Sequence, residues 1–446
     1  MQRLFALFLA VLAGVTLVAS PSPATASAAG QIKINWSNSD SADLGRLRIS
    51  VTSTLPIAAL KAHIIASDGT ELATADDFAL TSGTTVNGVW TTVSRIQIGR
   101  LGFFRVDVEA TDTEGTHVRT DRAGNLSYYV ATVFEPLRST PSAVKYDRRE
   151  VTVKGRLLGR HPGTGQLTSF AGAPVSLSIA FRNRIGGYDG FANAEVTTDD
   201  RGRFEYTRTL PQGTEFTATY PQNNAFPGYL RGTSDRLVVL VDPARTQVKV
   251  DTDTAQIAEG SAVRISGLAR WRSPDDGWQP LAGSRLVVFV DYGASGSGSP
   301  ESVTTGPDGR YSIDLTLYRS GTVIVNFPSD DPFKADARET VAVTVLHPAA
   351  FTEFTAGRAG ANVNVSGEID YPGNTSAYSA EFAVEFSADG RTWTRRALLP
   401  GEQAGRGFSF TTSIPETAAG YWRATYSGAP HFQDAASPAV AVSAVP

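Results

Sequence analysis

The 446-residue sequence contains no cysteine and a single methionine. Without cysteine there are no disulfides, no thiolate zinc sites, no thiol nucleophile and no lipid-modified N-terminal cysteine. Such a chain is held by its apolar cores alone. Histidine is also scarce: His63, His117, His161, His347 and His431 are the five. No two of them stand at the i, i+2 or i, i+4 spacing of metal ligands. H-E-x-x-H, G-x-S-x-G and G-x-x-x-x-G-K do not occur. No enzyme is expected from this inventory, and no cofactor. Charged residues make up 19% of the chain, below the roughly 25% typical of globular domains, and the net charge is −4. That balance carries no signal for nucleic acid. No apolar run of transmembrane length follows residue 20.

The N-terminus is different. Gln2-Arg3 carries one positive charge, residues 4–18 are apolar, and PSPATASAAG follows with two A-x-A-like sites. This order of regions predicts a signal peptide over residues 1–29, cleaved near Ala26 to Ala29. The mature chain is then expected to be secreted. No L-P-x-T-G motif follows the final VAVSAVP, so any hold on a cell surface is expected to be non-covalent. Only six of the 40 basic residues are lysine, a preference that fits a high-GC bacterium.

Repetition organises the rest. Residues 196–220, VTTDDRGRFEYTRTLPQGTEFTATY, return as residues 303–327, VTTGPDGRYSIDLTLYRSGTVIVNF. A looser copy, RGFSFTTSIPETAAGYWRATY, covers residues 406–426. Each copy ends in a run alternating apolar with polar residues, as a strand with one buried face does. Opening strands recur as VTVKG at Val151, VRISG at Val263 and VNVSG at Val363. Closing strands recur as LVVLV, VAVTV and VAVSAV, with Tyr229, Phe333 and Phe432 as a second aromatic before them. The pattern predicts an all-β chain of tandem immunoglobulin-like β-sandwich domains of about seven strands each. Segment 30–137 is the divergent one. There, residues 46–52 read as an opening strand, residues 62–66 with Asp68-Gly69 as a hairpin, Phe104, Val106 and Val108 as one strand face, and residues 125–133 as the closing strand. Segments 138–242, 243–347 and 348–446 share one architecture.

The units Trp278-Gln279-Pro280-Leu281-Ala282-Gly283, Asp308-Gly309-Arg310-Tyr311 and FSADGRTW from Phe386 carry a family resemblance, as does GYWRATYSG from Gly420. They are similar to bacterial immunoglobulin-like repeats of secreted and cell-surface actinobacterial proteins. The resemblance covers 138–446 well and 31–137 loosely. It implies an extracellular, non-enzymatic module that serves as spacer, adhesin or binding domain.

Several residues are candidates for binding. Trp271 and Trp278 flank the turn SPDDG and could pair across a hairpin. Exposed aromatics stack on sugar rings, although most of the six tryptophans are expected to pack in cores. Tyr188 and Phe191 sit in the Gly-rich stretch 183–193 and are the best local sign of a contact surface. GASGSGSP, 293–300, reads as a flexible loop. The pairs Asp76-Asp77, Asp199-Asp200, Asp275-Asp276 and Asp330-Asp331, with Asp251 and Asp253, raise calcium. The same residues also suit turns through bonds to nearby N–H groups. Segment 138–242 holds 14 basic and 10 acidic residues and is net positive, which would suit an anionic wall polymer. An extracellular protein or a cell-wall polymer is the expected partner, through surfaces in the first reading and through exposed aromatics in the second.

Overall fold

The computed structural model describes residues 31–222, 226–372, 377, 379–428 and 430–445. The expected signal peptide lies outside the described residues. Apart from one 3-10 turn, Gly293–Ser295, the described elements are all strands. The fold is a tandem series of immunoglobulin-like β-sandwich units built around four separate cores.

The first unit is one eight-stranded sheet folded around its core. Strand Gly102–Asp112 turns Phe104, Val106 and Val108 inward, where they meet Leu47, Ile49 and Val51 of strand Asp43–Ser53. Strands Ile57–Ile65 and Glu71–Ala75 form the hairpin at Asp68-Gly69. The two halves of the sheet join where Ile32–Asp40 runs parallel to His117–Tyr128, at Ser37–Gly124 and Asn38–Asn125. Ile32–Asp40, not residues 46–52, is therefore the opening strand. The closing strand also differs from expectation. The sheet ends at Tyr128, and Ala131–Phe134 pairs with Glu150–Arg160 of the second unit.

Each later unit has two sheets: five and six strands in the second, four and five in the third and fourth. The repeated sequence landmarks have a common cause. Gly155, Gly267 and Gly367 lie directly opposite Phe204, Tyr311 and Phe410. The aromatic ring lies over the bare glycine, and a Cβ there would come within 2.2 to 2.7 Å of it. An aromatic covering a strand glycine recovers packing that glycine itself cannot supply. The Gly-Arg turns before these aromatics, Gly202-Arg203 and Gly309-Arg310, are explained in the same way. Gly202 and Gly309 have φ of +73° and +79° and abut the carbonyls of Leu157 and Ala269. Their own carbonyls accept the Leu157 and Ala269 N–H at 2.8 and 2.9 Å.

The units are joined by a repeated clasp. Val130, in the chain before the second unit's own strands, donates to Gly228 O and accepts from Leu230 N. Ala244 does the same with Phe333 O and Ala335 N, and His347 with His431 O and Gln433 N. Each linker is thus stitched as a parallel bridge to the loop before the next unit's closing strand. The partners at the bridge centres are Tyr229, Lys334 and Phe432. Tyr229 stacks on Phe170 at 4.0 Å, and Phe432 packs on Tyr371 at 4.6 Å, both inside their own unit. In the third unit the aromatic is displaced by one position. Lys334 takes the bridge, and Phe333 is buried in the core of the second unit, with the Arg149 guanidinium 4.1 Å from its ring centre.

Candidate binding surfaces

Two of the four candidate aromatics form one surface. Tyr188 and Phe191 are three apart, which would place them on opposite faces of a regular strand. Strand Tyr188–Thr197 has a bulge, however: Gly190 pairs with Phe181 and Tyr188 with Arg182, leaving Asp189 extra. The extra residue brings both rings to one face, 5.5 Å apart. Asp189 is held by Asn183 Nδ2 at 3.1 Å and Gln212 Nε2 at 2.9 Å. Stretch 183–193 is therefore mostly strand, with only residues 183–187 left as loop. Tyr188–Thr197 is the edge strand of its sheet. Phe191 is 71% exposed and Ile185, at the loop tip, 93%.

Beneath this surface lies a buried charge. Glu215 receives Arg182 Nη1 and Arg236 Nη1, each at 3.2 Å, and the Tyr188 hydroxyl donates to it at 2.8 Å. The bond to Glu215 raises the Tyr188 hydroxyl above the usual phenol range, with burial adding to it. Next to Ile185, Arg184 reaches the third unit: it donates to Ser329 O, to Lys334 O at 3.0 Å and to Asp336 Oδ1 at 2.8 Å.

Trp271 and Trp278 do not pair. In the hairpin Trp271 faces Gln279 and Arg272 faces Trp278, so the two indoles stand on opposite faces. Trp271 is half-buried at the junction, 4.6 Å from Tyr146 of the second unit and 4.9 Å from the Lys334 ammonium. It occupies the place of Tyr371 in the fourth unit, under the clasp. Trp278 lies on the outer face of the same sheet with the Arg270 guanidinium 4.6 Å from its ring centre. Of the other tryptophans, Trp90 and Trp422 are core residues, and Trp36 and Trp393 carry Arg48 and Arg423 over their rings.

Three of the acidic residues accept backbone N–H groups. Asp199 accepts from Arg201 N and Arg203 N, Asp331 from Phe333 N, and Asp253 from Arg264 N. Among the described residues no group of three or more His, Asp or Glu is arranged to hold a metal. Stretch 293–300 is more ordered than its Gly/Ser composition suggests, because Tyr292 N bonds Gly296 O and Gly298 N bonds Val290 O. Sequence reading missed the basic residues around Trp278. Their signal is period-2 recurrence, Arg245-x-Gln247-x-Lys249 and Arg270-x-Arg272.

No protein-family model matches this chain, and no curated protein does. Among solved structures it is similar to a tetra-tandem repeat from the extending region of a large adhesion protein. The TM-score is 0.37 and the identity 15%, over 93% of this chain and 99% of that one. It is also similar to a Salmonella alpha-2-macroglobulin mutant (TM-score 0.22, 11% identity, 93% of this chain) and to a trypsin-activated alpha-2-macroglobulin from Escherichia coli (0.21, 8%, 94%). The chain spans 30% and 42% of those two. The fold class rests on the strands and cores themselves.

Proposed function

We propose that this chain is a non-catalytic, extracellular string of immunoglobulin-like units with a structural or adhesive role. The observation that carries this reading is the clasp. Three successive linkers are tied to the following unit by the same pair of backbone bonds. Between the second and third units, buried Phe333 and the Arg184 contacts add to the join. A chain that invests in its junctions holds its faces in fixed relation, which suits simultaneous contact along a surface. The buried Glu215 carboxylate is engaged by two arginines and a tyrosine. No helix among the described residues is long and apolar enough to cross a membrane.

The test is retention. Beads coated with the protein from residue 31 onward are expected to hold to isolated bacterial cell walls under flow, without degrading them. Turnover of wall or protein substrate, abolished by one side-chain change, would refute the proposal. So would beads that wash off as readily as uncoated ones.

A further inference from the structure

The smaller sheet of the third unit has a basic outer face. Strand Thr246–Thr252 pairs with Ser261–Ser273, which turns Val248 and Ala269 inward and Gln247, Lys249, Leu268 and Arg270 outward. One step beyond the ladder, Arg272 N donates to Arg245 O at 2.7 Å, so these two residues also stand directly opposite each other on the outer face. Arg310 flanks Leu268 from the other side, and Trp278 completes the row beside Arg272. Five cations and one exposed indole thus share one end of the sheet's outer face.

Little neutralises this group: Arg270 donates to the neutral Gln247 Oε1 at 2.9 Å. Among the described residues Arg245, Lys249 and Arg272 make no side-chain hydrogen bond or ion pair, and Arg310 has only Asp308 at 3.5 Å. Like charges directly opposite on a strand pair destabilise it. The Arg245–Arg272 pair therefore costs the fold something that a bridging anion would relieve. Guanidinium forks suit carboxylate, sulfate or phosphate, and the indole beside them suits the apolar face of a sugar ring.

We propose that this face binds an anionic polysaccharide, with Arg245 and Arg272 gripping its acidic groups and Trp278 stacking on an adjacent sugar. A glycan is favoured over a nucleic acid because the protein as a whole is net negative at −4. That balance opposes a densely charged nucleic acid more than a sparsely charged glycan. The proposal adds a ligand class to the adhesive reading but does not depend on it, since the string could hold through other faces.

The experiment measures binding of the protein from residue 31 onward to dextran sulfate, polygalacturonate, neutral dextran and single-stranded DNA, at about 50 and about 500 mM salt. The acidic glycans are expected to bind, more weakly at high salt. The double variant Arg245→Ala/Arg272→Ala is expected to weaken binding about tenfold and flatten the salt dependence. Trp278→Ala is expected to weaken it about fivefold at both salts. Both arginines are exposed and unpaired, so a melting temperature no lower than that of the unaltered protein confirms that the double variant is folded. Undiminished binding in that folded variant overturns the proposal. So does equal binding of neutral dextran, or single-stranded DNA bound more tightly than either glycan.

Discussion

Glu215 is 6% exposed, and its partners come from three strands or strand ends. Glu215→Gln removes the charge and leaves Arg182 and Arg236 facing each other, at an expected cost of about 1–3 kcal/mol. Phe191→Ala, two strands away on the same sheet, is expected to stay within about 0.5 kcal/mol because its ring already faces water. Denaturant unfolding of the two variants separates a buried network from a contact surface. Asp389 makes a different prediction. The N–H groups of Thr392 and Arg391 and the Ser387 hydroxyl hold its carboxyl down at about 2. Unfolded, it would titrate near 3.9. Its contribution is therefore complete above about pH 4 and lost as the pH falls through about 2. Asp389→Asn should flatten the pH dependence of stability within that window and leave it unchanged near neutrality, which acid titration of the two proteins would show. At this scale the sequence misleads in an instructive way. Arg270 and Arg272 beside Trp271 suggest a polar setting, but nearest neighbours on a strand report the opposite face. Two outward arginines are a reason to place Trp271 inward. The Tyr188–Phe191 pair depends on a bulge, and Asp189 looks like an ordinary turn residue until Asn183 and Gln212 are seen holding it.

At the scale of the strand, the repeats were legible because their signals are local. The glycine of each opening strand and the aromatic of each later hairpin recur in order, and the structure sets them face to face. Gly155→Val tests the pairing. Its side chain would meet Phe204 Cζ from a Cβ only 2.2 Å away and Leu137 Cδ2 from 2.7 Å. Overpacking of this kind is expected to cost about 1–3 kcal/mol. Phe204→Ala in the same background should recover part of that loss, whereas in a glycine background it should only destabilise. A thermal-melt cycle over the four proteins measures the coupling. The first unit hid its opening and closing strands for a related reason. Its eight strands do not repeat the opening-strand glycine and hairpin aromatic in the order the later units share, and Ala131–Phe134 differs from a closing strand only in which neighbour it joins.

For the whole molecule, the junctions matter most, and they were the least visible. Tyr229, Phe333 and Phe432 look equivalent in sequence, and a one-residue shift sends only Phe333 into the preceding unit. Burial of a side chain across a boundary makes the stability of one unit depend on the other. Phe333→Ala is expected to cost about 3–5 kcal/mol, and much of that should appear in the second unit although the residue belongs to the third. Hydrogen exchange should then speed up in strands Ala143–Val144 and Leu237–Val241; if only the third unit responds, the coupling is wrong. The clasps have a mechanical consequence too. Each stores a few residues of linker folded against a loop, secured by two hydrogen bonds in series with the units. Under tension these bonds lie in the load path ahead of any core, and each residue released adds about 3.4 Å of length. Pulled from its ends, the chain should give up this slack in small, early, reversible steps, acting as a shock absorber before any sandwich opens.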